Sequence, residues 1–142
     1  MHLCGIIDEL IKSTPDTVAI SFFFCQATDD RISNATAVLR GLIFLLVGKQ
    51  PLLILHVRRR YDQAGKQLFE DVNAWEALSK ILAGILEDPH LQSTYLIIDA
   101  LDECTTDLSL LLDLVQRSSV YSRIRWIVSS RNWPSIEKVS VK

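Results

Sequence analysis

The stretch Tyr95-Leu96-Ile97-Ile98-Asp99-Ala100-Leu101-Asp102-Glu103 carries the strongest chemical signal in the sequence. Four mostly apolar residues followed by an acid place the Asp99 carboxyl group at the C-terminal end of a buried strand. A carboxylate there suits Mg²⁺, directly or through water, because this ion takes one or two carboxylates together with phosphate oxygens. Asp102 and Glu103, just beyond, could polarise an attacking water as general bases. The same three acids would equally form a polar turn that caps the next helix. A second element, Trp126-Ile127-Val128-Ser129-Ser130-Arg131, puts an arginine just past another strand. Its guanidinium could make bidentate contact with a γ-phosphate, although a surface arginine at a strand exit has the same local sequence.

A loop that cradles phosphates needs G-x-x-x-x-G-K-[ST], whose glycines let backbone N–H groups approach the anion. The two Gly-Lys pairs, Gly48-Lys49 and Gly65-Lys66, are each followed by Gln, and the residues five before the glycines are Ile43 and Arg60. Neither is such a loop. Arg58-Arg59-Arg60 is a basic run without interleaved aromatics and reads as a solvated helix face. Cys4, Cys25 and Cys104 are odd in number and widely spaced, and His2, His56 and His90 are equally scattered. That pattern predicts reduced structural thiols in an intracellular protein, with neither a disulfide framework nor a zinc site.

These candidates sit in a chain of 142 residues, 49% hydrophobic and 23% charged, with a formal net charge of −2. Such a balance excludes a disordered segment and gives no basic excess for general nucleic-acid binding. The mean hydropathy of +0.21 is high for a small domain. A membrane span does not account for it: the longest apolar run, Leu42 to Val47, has six residues, where a spanning helix needs about 20. The N-terminus has no basic region, so a signal peptide is not expected either, and the predicted compartment is the cytoplasm.

Periodicity supplies the elements that would position the acids. Leu3, Ile6, Ile7, Leu10 and Ile11 mark one face of a helix that Thr14-Pro15-Asp16 ends. Val18 to Cys25 reads as a strand covered on both faces. Asn34 is expected to cap a helix running to Val47 with Gly48 as its stop, and Pro51 to open a second helix reaching about Tyr61. Asn73 or Asp71 would cap a third, carrying Val72, Trp75, Leu78, Ile81, Leu82, Ile85 and Leu86 up to Asp88-Pro89. Then follow a buried strand from Thr94 to Ile98, a helix from about Asp107 to Arg117 with Leu108, Leu111, Leu112 and Val115 on one face, and a strand from Arg125 to Val128. Buried strands alternating with helices predict a parallel α/β sheet with right-handed crossovers. The opening helix is unusual, since a strand ordinarily comes first in such folds.

The segments Phe22 to Asp30, Ala37 to Leu42, Leu96 to Cys104 and Trp126 to Pro134 together resemble fungal NACHT-type P-loop NTPase domains. This family, also described as nephrocystin-3-like N-terminal domains, includes the signalling ATPases of NOD-like receptors and vegetative-incompatibility proteins. The resemblance spans nearly the whole chain, with the motifs in family order. It implies a three-layer α/β/α P-loop NTPase-like sheet in which Asp99 holds the metal as the Walker B acid. Asp102 and Glu103 would be catalytic or water-orienting, and Arg131 the sensor arginine that contacts nucleotide.

It also implies that residues 1–142 form a partial domain, from the helix after the Walker A loop through the sensor strand. In the family order 5-1-4-3-2 the strands present would be 4-3-2, lacking the first strand and the P-loop. Mg and ATP are the implied cofactors, and a fragment of a nucleotide-dependent switch, inefficient alone in ATP binding and hydrolysis, is the implied function. Its last strand would expose an edge, so self-association or pairing with NOD-like receptor relatives is expected as the alternative role. No membrane partner and no nucleic acid beyond nucleotide are expected.

Overall fold

A computed structural model describes residues 4–13, 17–26, 28, 34–64, 74–104 and 106–129, with backbone alone for residues 4, 6, 60–64 and 102. Its elements are α1 (Cys4–Ser13), β1 (Val18–Phe24), α2 (Ala35–Lys49), α3 (Ile54–Ala64), α4 (Ala74–Glu87), β2 (Ser93–Asp99), α5 (Leu108–Ser118) and β3 (Ile124–Val128). The strands form a parallel sheet in the order β1-β2-β3. Val18 to Phe24 pair with Ser93 to Asp99 in step, and Thr94 to Ile98 with Ile124 to Val128. The strand order and direction therefore follow the expectation.

Alternation along the strands divides the apolar residues between two faces. Ile7 of α1 packs with Ile97 and Ile127, and Leu10, Phe22 and Phe24 close around them. The larger core, on the other face, joins Ala19, Leu96, Ile98 and Trp126 to α2, α4 and α5. Because β2 is central, Leu96, Ile97 and Ile98 are all buried, which is why its sequence is continuously apolar. This double burial accounts for the positive mean hydropathy. Among the described residues, no helix is long and apolar enough to cross a membrane.

Asn34 caps α2 as its residue type suggested: its Oδ1 accepts from the Ala37 N–H at 2.8 Å. Asn34→Ala should cost about 1 kcal/mol in a denaturant titration, and no measurable loss would reject the cap. Gly41 lies within α2 for a different reason. A Cβ added there would come 2.5 Å from the Phe23 ring, so the missing side chain lets the helix press onto β1. At the same contact, the buried Ser21 hydroxyl donates to the Leu42 carbonyl at 2.8 Å.

Several local expectations need correction. Gly48 does not stop α2; the helix runs to Lys49, and the Gln50 N–H closes it on the Leu46 carbonyl. Pro51 opens a 3-10 turn, Pro51–Leu53, before α3 begins. On α5 the buried residues are Leu111, Leu114, Val115 and Ser118, while Leu112, predicted on the inner face, is exposed. Ile11 is exposed as well, at the margin of the α1 stripe. Asp71, Val72 and Asn73 lie outside the described residues.

The end of the sheet remote from Asp99 is tied by a polar cluster with no signature in local sequence. Asp88, just after α4, accepts the His90 N–H at 2.8 Å, and its second oxygen lies 2.8 Å from His56 Nε2 on α3. Arg123 donates to the carbonyls of Asp88, Pro89 and Leu91, which fixes the turn into β2. The hydrogen bond with His56, then that from the His90 backbone, lowers the Asp88 pKa from 3.8 to about 2.

Asp88 therefore stabilises the fold fully above its unfolded value, and loses that contribution as pH falls through about 2. The contribution is about 1–2 kcal/mol, at the lower end because water reaches the pair. Asp88→Asn should lower unfolding free energy by that amount at neutral pH, with the gap to the parent closing in acid. A gap independent of pH would show that the carboxylate is not the cause.

Candidate functional site

The carboxyl ends of all three strands converge, the usual place for ligands in open α/β sheets. The Cys25 N–H, just past β1, donates to the Asp99 carbonyl at 3.1 Å. The Ser129 N–H, just past β3, donates to the Ile98 carbonyl at 3.0 Å, and the Leu101 N–H returns to the Ser129 carbonyl at 2.8 Å. These bonds fix where β2 stops and where the acidic segment leaves it.

Asp99 is 2% exposed, although it is the last residue of its strand. The Ser129 hydroxyl donates to Asp99 Oδ1. The same hydroxyl accepts the Ala100 N–H at 3.1 Å, so one side chain holds both the acid and the turn behind it. Ala100 adopts the left-handed conformation (φ 58°, ψ 49°), which reverses the chain into the 3-10 turn Leu101–Glu103. For an alanine that conformation costs about 1 kcal/mol or more, and the two hydrogen bonds to Ser129 help to hold it.

The segment that follows the turn is anchored on α2. The Ala35 N–H donates to the Thr106 carbonyl at 3.0 Å, next to the Asn34 cap. Glu103 is half-buried in the turn; Asp102 shares that turn by its backbone, and Arg131 lies outside the described residues. The structure thus brings Asp99 and the turn carrying Asp102 and Glu103 together at the sheet end. Ser129 is the site residue that sequence reasoning missed. The available signal was a small polar residue directly after an apolar strand, too common to single out.

Cys25 and Cys104 are buried and reduced. Burial chiefly pushes the Cys104 thiol pKa up, and the Asp107 charge adds to this against a hydrogen bond to the Thr106 carbonyl. A protonated, buried thiol is a structural group and not a nucleophile. Among the described residues, no group of three or more His, Cys, Asp or Glu side chains is placed to hold a metal ion. For Mg²⁺ the donor chemistry at Asp99 nevertheless fits: one hard carboxyl oxygen is oriented by Ser129, and this ion keeps most of its shell as water and phosphate oxygens.

Fold and site together define a mixed α/β protein built on a small parallel sheet, with an oriented acid at its carboxyl end. The family model "Nephrocystin 3, N-terminal" matches residues 1–131, and the chain belongs to that family. It is similar to the vegetative incompatibility protein HET-E-1 of Podospora anserina, with 67% identity over 139 residues. That match covers 97% of this chain and 10% of the relative, so the chain spans about a tenth of the curated protein's length. No solved structure matches it.

Proposed function

We propose that this chain is a portion of a NACHT-type, nucleotide-dependent signalling switch, with Asp99 as its Mg²⁺-associated acid. The observation that carries this reading is the burial of Asp99 at the carboxyl end of the central strand, oriented by Ser129. A side chain that caps a turn needs no such burial. In this reading Asp102 and Glu103 orient the attacking water, and Arg131 senses the terminal phosphate. Mg²⁺, when bound, supplies charge neutralisation at the phosphates. Asp99 would hold that ion, directly or through water, and Ser129 keeps the carboxyl group aimed. The family membership and the HET-E-1 likeness support a signalling role, with the compartment proposed as cytoplasmic.

The sequence has no G-x-x-x-x-G-K-[ST] loop, so the chain by itself is proposed to hold nucleotide poorly. Isothermal titration of the chain with Mg²⁺–ATP should give no saturable heat at micromolar concentrations. Micromolar binding would overturn the reading of a switch portion that depends on residues beyond this chain.

A second reading, an interaction module, is favoured by β3, which pairs with β2 and with no other strand among the described residues. An open edge of this kind supports association with another chain. Sedimentation as a concentration-independent monomer would count against it.

A further inference from the structure

The stretch that leaves β2 after Asp99 is held in a strained backbone at both ends. Among the described residues, Ala100 (φ 58°) and Asp107 (φ 61°) are the two non-glycine residues with positive φ. They bracket residues 101–104 and 106, which include Asp102 and Glu103. A side chain meets a steric penalty in this conformation. Aspartate tolerates it better than alanine, yet the Asp107 side chain makes no cap bond to α5.

Inside the bracket the stretch is tied to itself. The Glu103 N–H donates to the Ala100 carbonyl at 2.9 Å, and the Cys104 N–H to the Leu101 carbonyl at 3.0 Å. The Cys104 thiol donates to the Thr106 carbonyl at 3.6 Å. Leu101 and Cys104 seat it on the larger core. Its outward backbone ties are few. At one end the Ala100 and Leu101 N–H groups rest on the Ser129 hydroxyl and carbonyl. At the other the Thr106 carbonyl accepts the N–H of Ala35, the first residue of α2.

We propose that this stretch is a relay that turns as one body on the seated Leu101 and Cys104, with Ala100 and Asp107 as hinges. It carries a change at Asp99 to the start of α2. The Ser129 hydroxyl is the input, because it donates to Asp99 and accepts from the Ala100 N–H at once. A cation that draws the Asp99 carboxyl group away frees that hydroxyl to leave Ala100. The Ala35–Thr106 bond is the output. Strain at both hinges favours the turn, since each relaxes to negative φ when the stretch moves. The ligand at Asp99 rests on the switch reading; the coupling of the two ends does not, and is measured without ligand.

The test is amide hydrogen exchange of the whole chain, followed by NMR in water and in urea below the unfolding transition. In the parent, the Leu101 and Ala35 amides should share one protection, lower than that of Leu96 and Leu82. It should not change with dilute urea, the mark of a local opening. Glycine at a hinge favours the observed conformation over the turned one. Ala100→Gly should therefore slow exchange about fivefold at Ala35, the far end of the relay. Asp107→Gly should slow Leu101, again the far end, by about threefold.

Slowing confined to each variant's own end would show two independent turns and overturn the relay. So would a urea dependence at Leu101 and Ala35 equal to that of Leu96, since the ends would then open only with the whole domain. Faster exchange at the far end would reject Ala100 and Asp107 as hinges. No nucleotide or metal is present in these measurements, so this proposal and the switch reading stand or fall separately.

Discussion

Trp126→Ala is expected to remove about 3–5 kcal/mol of unfolding free energy, the cost of emptying a large buried aromatic site. Trp126 is fully buried at the centre of the larger core. Its ring N–H donates to the Ser118 hydroxyl at 3.0 Å, and that hydroxyl donates onward to the Leu114 carbonyl at 2.7 Å. The residue therefore joins β3 to α5 both by packing and by a short polar chain. Domains of this size have about 5–15 kcal/mol in total, so the loss is a large fraction of the whole and should move the denaturation midpoint markedly.

Trp126→Phe separates the two contributions. It keeps most of the apolar volume and loses the hydrogen bond, so it should cost about 1–2 kcal/mol, less than the alanine variant. Urea titration followed by circular dichroism measures both. A loss below about 1 kcal/mol for Trp126→Ala would mean that the β3–α5 contact is not part of the cooperative core.

Ser129→Ala is the second large effect, expected at about 2–4 kcal/mol from two lost hydrogen bonds, one buried and one partly buried. Asp99 loses the hydroxyl that donates to it, and the Ala100 N–H loses its acceptor. The backbone bonds from Ser129 to Ile98 and from Leu101 to Ser129 remain, so strand register should survive. Ser129→Thr, which keeps a hydroxyl, should recover part of the loss. In a double-mutant cycle with Asp99→Asn the two changes should couple by at least about 1 kcal/mol, because both act on one bond. Additive effects would show that Ser129 and Asp99 stabilise the sheet end independently, and would remove Ser129 as the residue that aims the acid.

Much of the frame was legible because its determinants are local. The apolar run ending in Asp99, the Asn34 cap and the Asp88-Pro89 stop each act within a few residues, through side-chain alternation, a cap bond to the third residue, or the missing proline N–H. Local rules also misled. Gly48 has the type of a helix stop, yet α2 continues past it to Lys49. Leu112 matched a helical stripe that the sheet does not cover. Neither error could be detected from spacing, since what an element packs against is absent from its own sequence.

The sequence by itself determined the alternation of strands and helices, the parallel sheet and the carboxyl group of Asp99 at the end of a buried strand. Tertiary structure alone decided what holds that acid, through Ser129 thirty residues away. It also decided why α2 carries a glycine against Phe23, why Asp88 is held by a histidine of α3, and where an apolar groove opens between α2 and α3. The physical reason is reach. Caps and periodicities are interactions of i with i+4 or less, whereas these contacts join segments that meet only after the β1-β2-β3 register has formed.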